Sequence, residues 1–206
     1  LPALFVYILT VIIPILWSMG YSLFSWNGIG DMKFIGLENY VRMFQDETFR
    51  EAVVNNLKFV VLGSLFQLCA GLILAILLTH ISKGGNILRV IYFIPCIISS
   101  MAICQIFSKM LSVQPQGLVC YVMEKLGMEP IALLANSHTA LITITLIDGY
   151  KYCGLYMIIF YSAFVSISKD VIEASTMDGC NVFQQYRYIK LPLVKNIFSI
   201  VIVMLV

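Results

Sequence analysis

The chain has 206 residues, 60% of them hydrophobic and only 12% charged, whereas soluble domains average about 45–50% apolar and about 25% charged residues. The apolar residues occur in long blocks, which excludes an ordinary water-soluble fold. The formal net charge of +2, without a run of Lys and Arg, excludes a nucleic-acid partner.

Four apolar blocks are long enough to cross a membrane, because an α-helix needs about 20 apolar residues to span the hydrocarbon. Pro14 is predicted to kink the first block, and Pro95 lies near the start of the third. The predicted spans cover residues 2–23, 57–79, 87–111 and 141–167, and a fifth begins at residue 197. The predicted fold class is therefore all-α, a polytopic transmembrane helical bundle, forming one domain over residues 1–206. Because the chain begins at Leu1 and ends inside an apolar block, we expect it to be a piece of a longer protein.

The charged residues between the blocks predict the orientation. The turn of residues 80–89 and the loop of residues 168–195 are enriched in Lys and Arg, whereas acidic residues dilute the basic ones in the other two segments. By the positive-inside rule the turn and the loop lie in the cytoplasm, and successive helices run in opposite senses.

The segment of residues 26–56 has amphipathic stretches of its own. Residues 37–44 and 49–54 fit short helices lying at the membrane interface. A plain linker is the alternative.

No known catalytic or metal-binding pattern occurs in the sequence. The six cysteines contain no CxxC pair and lie mostly in apolar blocks, where Cys behaves as a small hydrophobe. The sequence has no HExxH, GxSxG or GxxxxGK[ST] motif. We therefore expect no catalytic residue, no metal site, no disulfide and no cofactor bound by this chain.

The loop of residues 168–195 is predicted to form two short helices. Ser168 or Asp170 can cap the first helix, which stops at Gly179 because glycine readily adopts the left-handed conformation after a helix end. Asn181 and Gln184 resemble the capping box of the second helix. Pro192 is predicted to end that helix near residues 189–190. One apolar stripe should then be formed by Val182, Phe183, Tyr186 and Ile189.

This loop resembles a signature of one transporter family. It contains Glu173-Ala174-Ser175, three further residues, Gly179, nine further residues, and Ile189-Lys190-Leu191-Pro192. The pattern is similar to the EAA-x3-G-x9-I-x-L-P motif of binding-protein-dependent ABC importer permeases, with Ser175 in place of the second Ala. Weaker matches, such as residues 34–40 and 93–95, resemble the carbohydrate-uptake branch that includes maltose and glycerol-3-phosphate permeases.

The resemblance implies a transport subunit and not an enzyme. In this family the loop forms a coupling helix that docks on a cytoplasmic ATPase dimer, where ATP is bound. The docking residues that it implies here are Glu173, Ala174, Ser175, Asp178, Gly179, Ile189, Leu191 and Pro192. The implied partners are a second homologous permease, the ATPase dimer, an extracytoplasmic solute-binding protein and membrane lipid. The implied location is the bacterial inner membrane, which the chain crosses several times.

Polar residues inside the spans are candidates for the translocation pathway of a sugar or related polar solute. A charge at mid-bilayer costs about 2.5–3.5 kcal/mol, so such residues usually face a partner or water. Asp148 and Lys151 are three residues apart on one helical face. The further candidates are Tyr150, Tyr152 and Gln105. Two alternatives stay open: a mutually neutralising Asp148–Lys151 pair, and a secondary transporter that uses these two residues for ion coupling.

Overall fold

The computed structural model describes residues 2–81 and 83–205, and in this part of the chain the fold is almost entirely helical. A two-stranded antiparallel ribbon pairs β1 Phe24–Ser25 with β2 Lys33–Phe34. The predicted all-α class is confirmed. The helices, numbered in chain order, are α1 Pro2–Tyr21, α2 Glu38–Gln45, α3 Glu47–Thr79, α4 Gly85–Ile97, α5 Ser100–Met110, α6 Leu118–Lys125, α7 Ser137–Val165, α8 Lys169–Met177, α9 Val182–Leu193 and α10 Lys195–Leu205.

The number of membrane spans depends on how the bent helix pairs are counted. Helices α1 and α3 are each long and apolar enough to cross a membrane. The pairs α4–α5, α7–α8 and α9–α10 are bent by 94°, 69° and 67°. Length and composition therefore allow two to five spans in the described residues, and the predicted four complete spans are not confirmed.

The third predicted span, residues 87–111, is wrong as a single helix. Helix α4 ends two residues after Pro95, and α5 begins at Ser100. Pro95 has no amide proton for the carbonyl four residues before it, which weakens the helix at this point. Ile98 and Ser99 then take an extended ψ of 138° and 135°, and the chain changes direction there.

Pro192 lies inside α9, so the prediction that it ends the helix near residues 189–190 is wrong. A π turn over Tyr186–Lys190 precedes the proline. The wider turn shifts the preceding carbonyls relative to the proline ring and accommodates its missing N–H, and the helix can continue. The same arrangement occurs in α1, where a π turn over Ile8–Ile12 precedes Pro14.

The chain divides into two compact units whose boundary lies between Asn56 and Leu57, within α3. In the first unit, the Asn39 side chain donates to the carbonyls of Ser22 at 2.8 Å and Phe24 at 3.0 Å. The predicted interfacial helix of residues 37–44 is present as α2. The second one, residues 49–54, is wrong as a separate helix because these residues form the first turns of α3.

In the second unit, α7 packs against α3 and α4 in opposite senses. Contacts between α3 and α7 advance in the same direction along both helices: Gly63 with Thr145, Gln67 with Asp148, and Gly71 with Tyr156. Contacts with α4 and α5 advance in opposite directions: Arg89 with Tyr161, Tyr92 with Gly154, and Ser100 with Lys151. The predicted alternation of helix direction is therefore confirmed for α3, α4 and α7.

Gly154 sets the separation of α4 and α7, and replacing it with Ala should destabilise the subunit. A Cβ at this position would overlap the Tyr92 carbonyl oxygen and lie 3.1 Å from Phe93 Cα, both of which are backbone atoms that cannot rotate away. Overpacking typically costs about 1–3 kcal/mol, and we expect Gly154→Ala to lie at or above the upper end. The thermal unfolding temperature of the purified transporter measures this loss.

Gly63→Ala is the matched control for this substitution. Its Cβ would meet only Thr145 Cγ2, at an ordinary 3.6 Å. We expect the unfolding temperature of Gly63→Ala to stay close to that of the parent. An equal loss in both variants would contradict the role of Gly154 as a contact point.

Candidate functional site

The loop of residues 168–195 forms a hinged helix pair, α8 and α9. Gly179 has a φ of +83°, in the left-handed region. Its N–H donates to the Thr176 carbonyl at 3.0 Å, and the Cys180 N–H donates to the Ser175 carbonyl at 3.0 Å. These two bonds form a Schellman motif, which satisfies the last carbonyls of α8. The predicted helix stop at Gly179 is confirmed.

The second helix starts with the predicted capping box. The Gln184 N–H donates to Asn181 Oδ1 at 2.9 Å, and the Asn181 N–H donates to Gln184 Oε1 at 2.8 Å. Two amide groups that a helix start leaves without partners are thereby satisfied. The direction in which α9 leaves the hinge is therefore fixed by local sequence.

Gln185 connects the two helices and was not identified from the sequence. Its side chain is buried, and its Nε2 donates to Thr176 Oγ1 in α8 at 3.0 Å. Because this bond bridges the hinge at Gly179, α8 and α9 are held as one body. A glutamine inside an amphipathic helix gives no sequence signal that distinguishes such a bond from solvent exposure.

Tyr186 attaches this body to the ends of α3 and α7. Its hydroxyl forms a short hydrogen bond with Thr79 Oγ1, and its ring packs edge-on against Phe164 at 5.6 Å and lies 5.7 Å from the His80 ring. The Lys190 ammonium lies 4.1 Å from the centroid of the Tyr186 ring. With only 6% of its surface exposed, Tyr186 belongs to the core and not to a docking face.

The predicted apolar stripe is therefore wrong as a single exposed face. Val182 and Phe183 are 55% and 71% exposed, Tyr186 is buried, and Ile189 is half-buried. The π turn changes the angle between successive side chains, so a periodicity of 3.6 residues no longer describes the surface of α9. Met177, at the end of α8, is 88% exposed and joins Val182 and Phe183 in the apolar surface of the loop.

The structure divides the predicted docking residues into exposed and inward-facing groups. Ser175 is buried, and its hydroxyl donates to the Ile172 carbonyl at 2.6 Å. Ile189 and Leu191 are half-buried, and Leu191 packs against the core. The exposed residues of the set are Glu173, Ala174, Asp178, Gly179 and Pro192.

Asp148 and Lys151 form no salt bridge with each other in the part of the chain that the structure describes. Asp148 accepts a hydrogen bond from Gln67 Nε2 of α3 at 3.0 Å. Lys151 is buried, and its ammonium donates to Ser100 Oγ at 2.5 Å and to Tyr152 Oη at 3.3 Å. Each charge therefore links α7 to a different neighbouring helix.

The remaining pathway candidates do not converge on one point. Tyr150 is 48% exposed and packs edge-on against Phe107, with ring centroids 5.8 Å apart. Both rings line an open, almost wholly apolar pocket of about 540 Å³. Gln105 is exposed, and its side chain forms no hydrogen bond within the described residues. Of the predicted set, Lys151 and Tyr152 interact directly, through the hydrogen bond and a distance of 4.8 Å from the ammonium to the Tyr152 ring centroid.

Comparison with known proteins identifies the family of this fold and loop. Residues 67–205 match the family described as "Binding-protein-dependent transport system inner membrane component". The chain belongs to this family. The resemblance carried by the signature in α8 and α9 is thereby confirmed, and the protein is a permease component of a transport system in the inner membrane.

Similar proteins are permeases of ABC transporters. The chain is 30% identical over 208 residues to "Probable ABC transporter permease protein YurN" of Bacillus subtilis (strain 168), covering 98% of this chain and 70% of that protein. It is 28% identical to "Probable starch degradation products transport system permease protein AmyD" of Thermoanaerobacterium thermosulfurigenes, covering 97% and 67%. Across eight such relatives, this chain spans 54% to 72% of their length.

Solved structures confirm the permease fold. A bacterial ABC transporter involved in the import of the acidic polysaccharide alginate contains a chain with a TM-score of 0.87 and 22% identity, covering 100% of this chain and 69% of that one. The alginate transporter in complex with an alginate pentasaccharide-bound periplasmic protein gives a TM-score of 0.88 at 21% identity, covering 99% and 68%. At this identity the likeness concerns the fold alone.

Proposed function

We propose that this chain is the membrane-spanning subunit of an ATP-driven importer that carries a sugar or related polar solute and docks on a cytoplasmic ATPase dimer through residues 168–195. The observation that carries the proposal is the hinged helix pair at the family signature. It is held together through Gln185, joined to α3 and α7 through Tyr186, and carries the exposed apolar side chains of Met177, Val182 and Phe183. A rigid attachment with an apolar surface is suited to receiving force from a partner.

The exposed residues of the loop have separate roles in this proposal. Met177, Val182 and Phe183 supply most of the docking energy, since buried apolar contacts dominate interface energetics. Glu173 pairs with a basic group of the ATPase. This ion pair sets the register of docking and contributes little to its strength, because a surface ion pair contributes only about 0–1 kcal/mol. Gly179 presents a tip without a side chain. Asp178 precedes it, and Pro192 holds the π-helical geometry of α9.

The proposed partners extend the family description. A solute-binding protein delivers the cargo at the extracytoplasmic side, and a second homologous permease completes the pathway. This chain itself binds no cofactor in the proposal, because ATP is hydrolysed by the ATPase dimer. Several relatives are named as permeases for starch degradation products, arabinooligosaccharides, trehalose/maltose and lactose, which favours a sugar as the cargo here.

Uptake by proteoliposomes that contain the complete transporter and its binding protein tests the proposal. Radiolabelled sugar should accumulate only with ATP on the ATPase side, and an ATPase subunit that cannot hydrolyse ATP should stop uptake. Uptake driven by an ion gradient alone, with the inactive ATPase, would establish the rival secondary transporter instead.

Asp148 is proposed to contact the solute, and Asp148→Asn should weaken apparent affinity. Asn keeps an oxygen that accepts the Gln67 hydrogen bond and removes only the charge. A hydrogen bond to a charged group contributes about 1.5–3 kcal/mol, so we expect KM for uptake to rise about tenfold or more. The maximal rate should change little.

Gln67→Leu is the matched control, because it removes the contact to Asp148 and retains the carboxylate. If Asp148 only supports packing, Gln67→Leu should disturb uptake and Asp148→Asn should not. An unchanged KM in Asp148→Asn would contradict its place in the pathway.

A further inference from the structure

A groove between α4 and α7 combines one basic end with an apolar floor. It has a volume of about 490 Å³ and is open to the outside. Arg89 and Asn86 lie at one end, and Ile94, Ile97 and Ile158 line the rest. Nothing in the transport mechanism proposed above uses this groove.

Arg89 is fixed at the mouth of the groove with its charge uncompensated. Its guanidinium lies 4.3 Å from the centroid of the Tyr161 ring, and it donates to the Gly85 carbonyl at 3.4 Å and to the Asn86 side chain. These partners are neutral, and Arg89 has no ion pair within the described residues. A guanidinium has five N–H donors, so several remain for an anionic ligand.

The groove is long enough along the axis of α4 to hold a lipid headgroup and the first part of an acyl chain. Eight residues separate Arg89 from Ile97, which corresponds to about 12 Å along the helix axis. Val90 and Ile97 are 61% and 71% exposed, so the floor beyond Arg89 offers an apolar surface. Arg89, in α4, lies beside Tyr161 near the C-terminal end of α7. Tyr186 attaches the α8–α9 pair at the same end of α7, through Phe164.

We propose that this groove binds an anionic phospholipid of the cytoplasmic leaflet, with its phosphate at Arg89 and an acyl chain along Ile94 and Ile97. This proposal depends on the membrane orientation in the proposed function. Basic pockets between transmembrane helices on the cytoplasmic side are suited to anionic headgroups. A helix of a protein partner would also cover the apolar floor, but it would need an acidic residue of its own to pair with Arg89. Phosphate supplies that charge at the depth where the headgroups lie.

Lipid retention by the intact transporter tests the proposal without depending on transport. The complex is placed in nanodiscs of phosphatidylcholine with increasing phosphatidylglycerol, released from them, and its retained lipids are counted by native mass spectrometry. The parent should retain phosphatidylglycerol in preference to phosphatidylcholine. Arg89→Gln should lower this preference about fivefold or more, the loss expected for one basic group at a membrane surface. Arg89→Lys should restore part of it.

Two control variants separate charge from shape. Lys109→Gln removes one positive charge from an exposed position on α5, outside the groove, and should leave retention unchanged. Ile94→Trp fills the groove without changing the charge and should displace the lipid. Inorganic phosphate added at the same concentration should not compete, since it lacks the acyl chain.

Equal retention of phosphatidylglycerol by the parent and by Arg89→Gln would overturn the proposal. A disulfide formed between Ile94→Cys and the second permease would also overturn it, because a protein would then occupy the groove. Failure of ATP-driven uptake would leave the lipid count unaffected, so the two proposals fail independently.

Discussion

Replacing Gly179 with Asp is expected to lower transport about 30-fold or more while leaving the subunit inserted in the membrane. An added Cβ at Gly179 meets no atom of this chain within 4 Å, so no clash arises inside the subunit. The left-handed backbone costs a non-glycine residue about 1–2 kcal/mol, and Asp tolerates it better than most residues. The main effect should therefore come from a charged side chain pressed into the ATPase interface. Loss of an interface hot spot costs about 2 kcal/mol or more, and we expect uptake to fall about 30-fold or more.

The matched control for Gly179→Asp is Gly127→Asp. Gly127 also has a positive φ, +74°, and open space around its Cβ, but it follows α6 in the segment predicted to lie outside. Co-purification of the ATPase with the permease measures docking directly. Gly127→Asp should retain the ATPase and Gly179→Asp should lose it. Normal transport by Gly179→Asp would contradict the docking role of the loop.

Replacing Tyr186 with Ala should uncouple ATP hydrolysis from transport. The Tyr186 ring contacts Phe164 and His80, and its hydroxyl contacts Thr79. Removal of this side chain therefore leaves a cavity between the α8–α9 pair and the ends of α3 and α7. Truncation of a buried aromatic side chain costs about 3–5 kcal/mol. The exposed surface of the loop stays in place, and the ATPase should still bind. We expect the ratio of ATP hydrolysed to solute imported to rise about tenfold or more, because loss of the Tyr186 contacts removes several kcal/mol of the free energy that holds the loop to α3 and α7.

Two further variants distinguish force transmission from general damage. Tyr186→Phe keeps the ring and removes only the hydrogen bond to Thr79, which costs about 0.5–1.5 kcal/mol, and should raise the ratio slightly. Tyr188→Ala alters a tyrosine of the same π turn that is 67% exposed, and should leave the ratio unchanged. If Tyr188→Ala and Tyr186→Ala gave the same ratio, the attachment through Tyr186 would have no special part in coupling.

The sequence predicted features that depend on local chemistry. The stop at Gly179 and the capping box of Asn181 and Gln184 follow from residues within one turn of each other, and both are present. The helical class follows from apolar blocks that only lipid can solvate. The EAA-like signature added the family, because its spacing is specific to one kind of loop.

Features that depend on distant contacts were missed. Asp148 and Lys151 make their side-chain hydrogen bonds to Gln67 on α3 and Ser100 on α5, and helical spacing, which placed the two charges on one face, did not predict these partners. Tyr186 was assigned to a docking stripe, although a tyrosine in a loop that folds back on two helix ends can be buried with its hydroxyl bonded. The 94° bend between α4 and α5 was missed because a proline often only kinks a transmembrane helix.

The π turn of residues 186–190 gives a geometric reason for a fixed number of residues between Gly179 and Pro192. Removal of one residue from this turn would restore ordinary α-helical hydrogen bonding, in which the ring of Pro192 clashes with the carbonyl four residues before it. Tyr186 would still face Phe164, but α9 would kink or end at the proline, and Val194, which is buried just before α10, would be displaced from the core. The interval written as nine residues and then I-x-L-P thus fixes the distance from the hinge at Gly179 to the start of α10. Insertions and deletions should therefore be found outside the interval from Gly179 to Pro192.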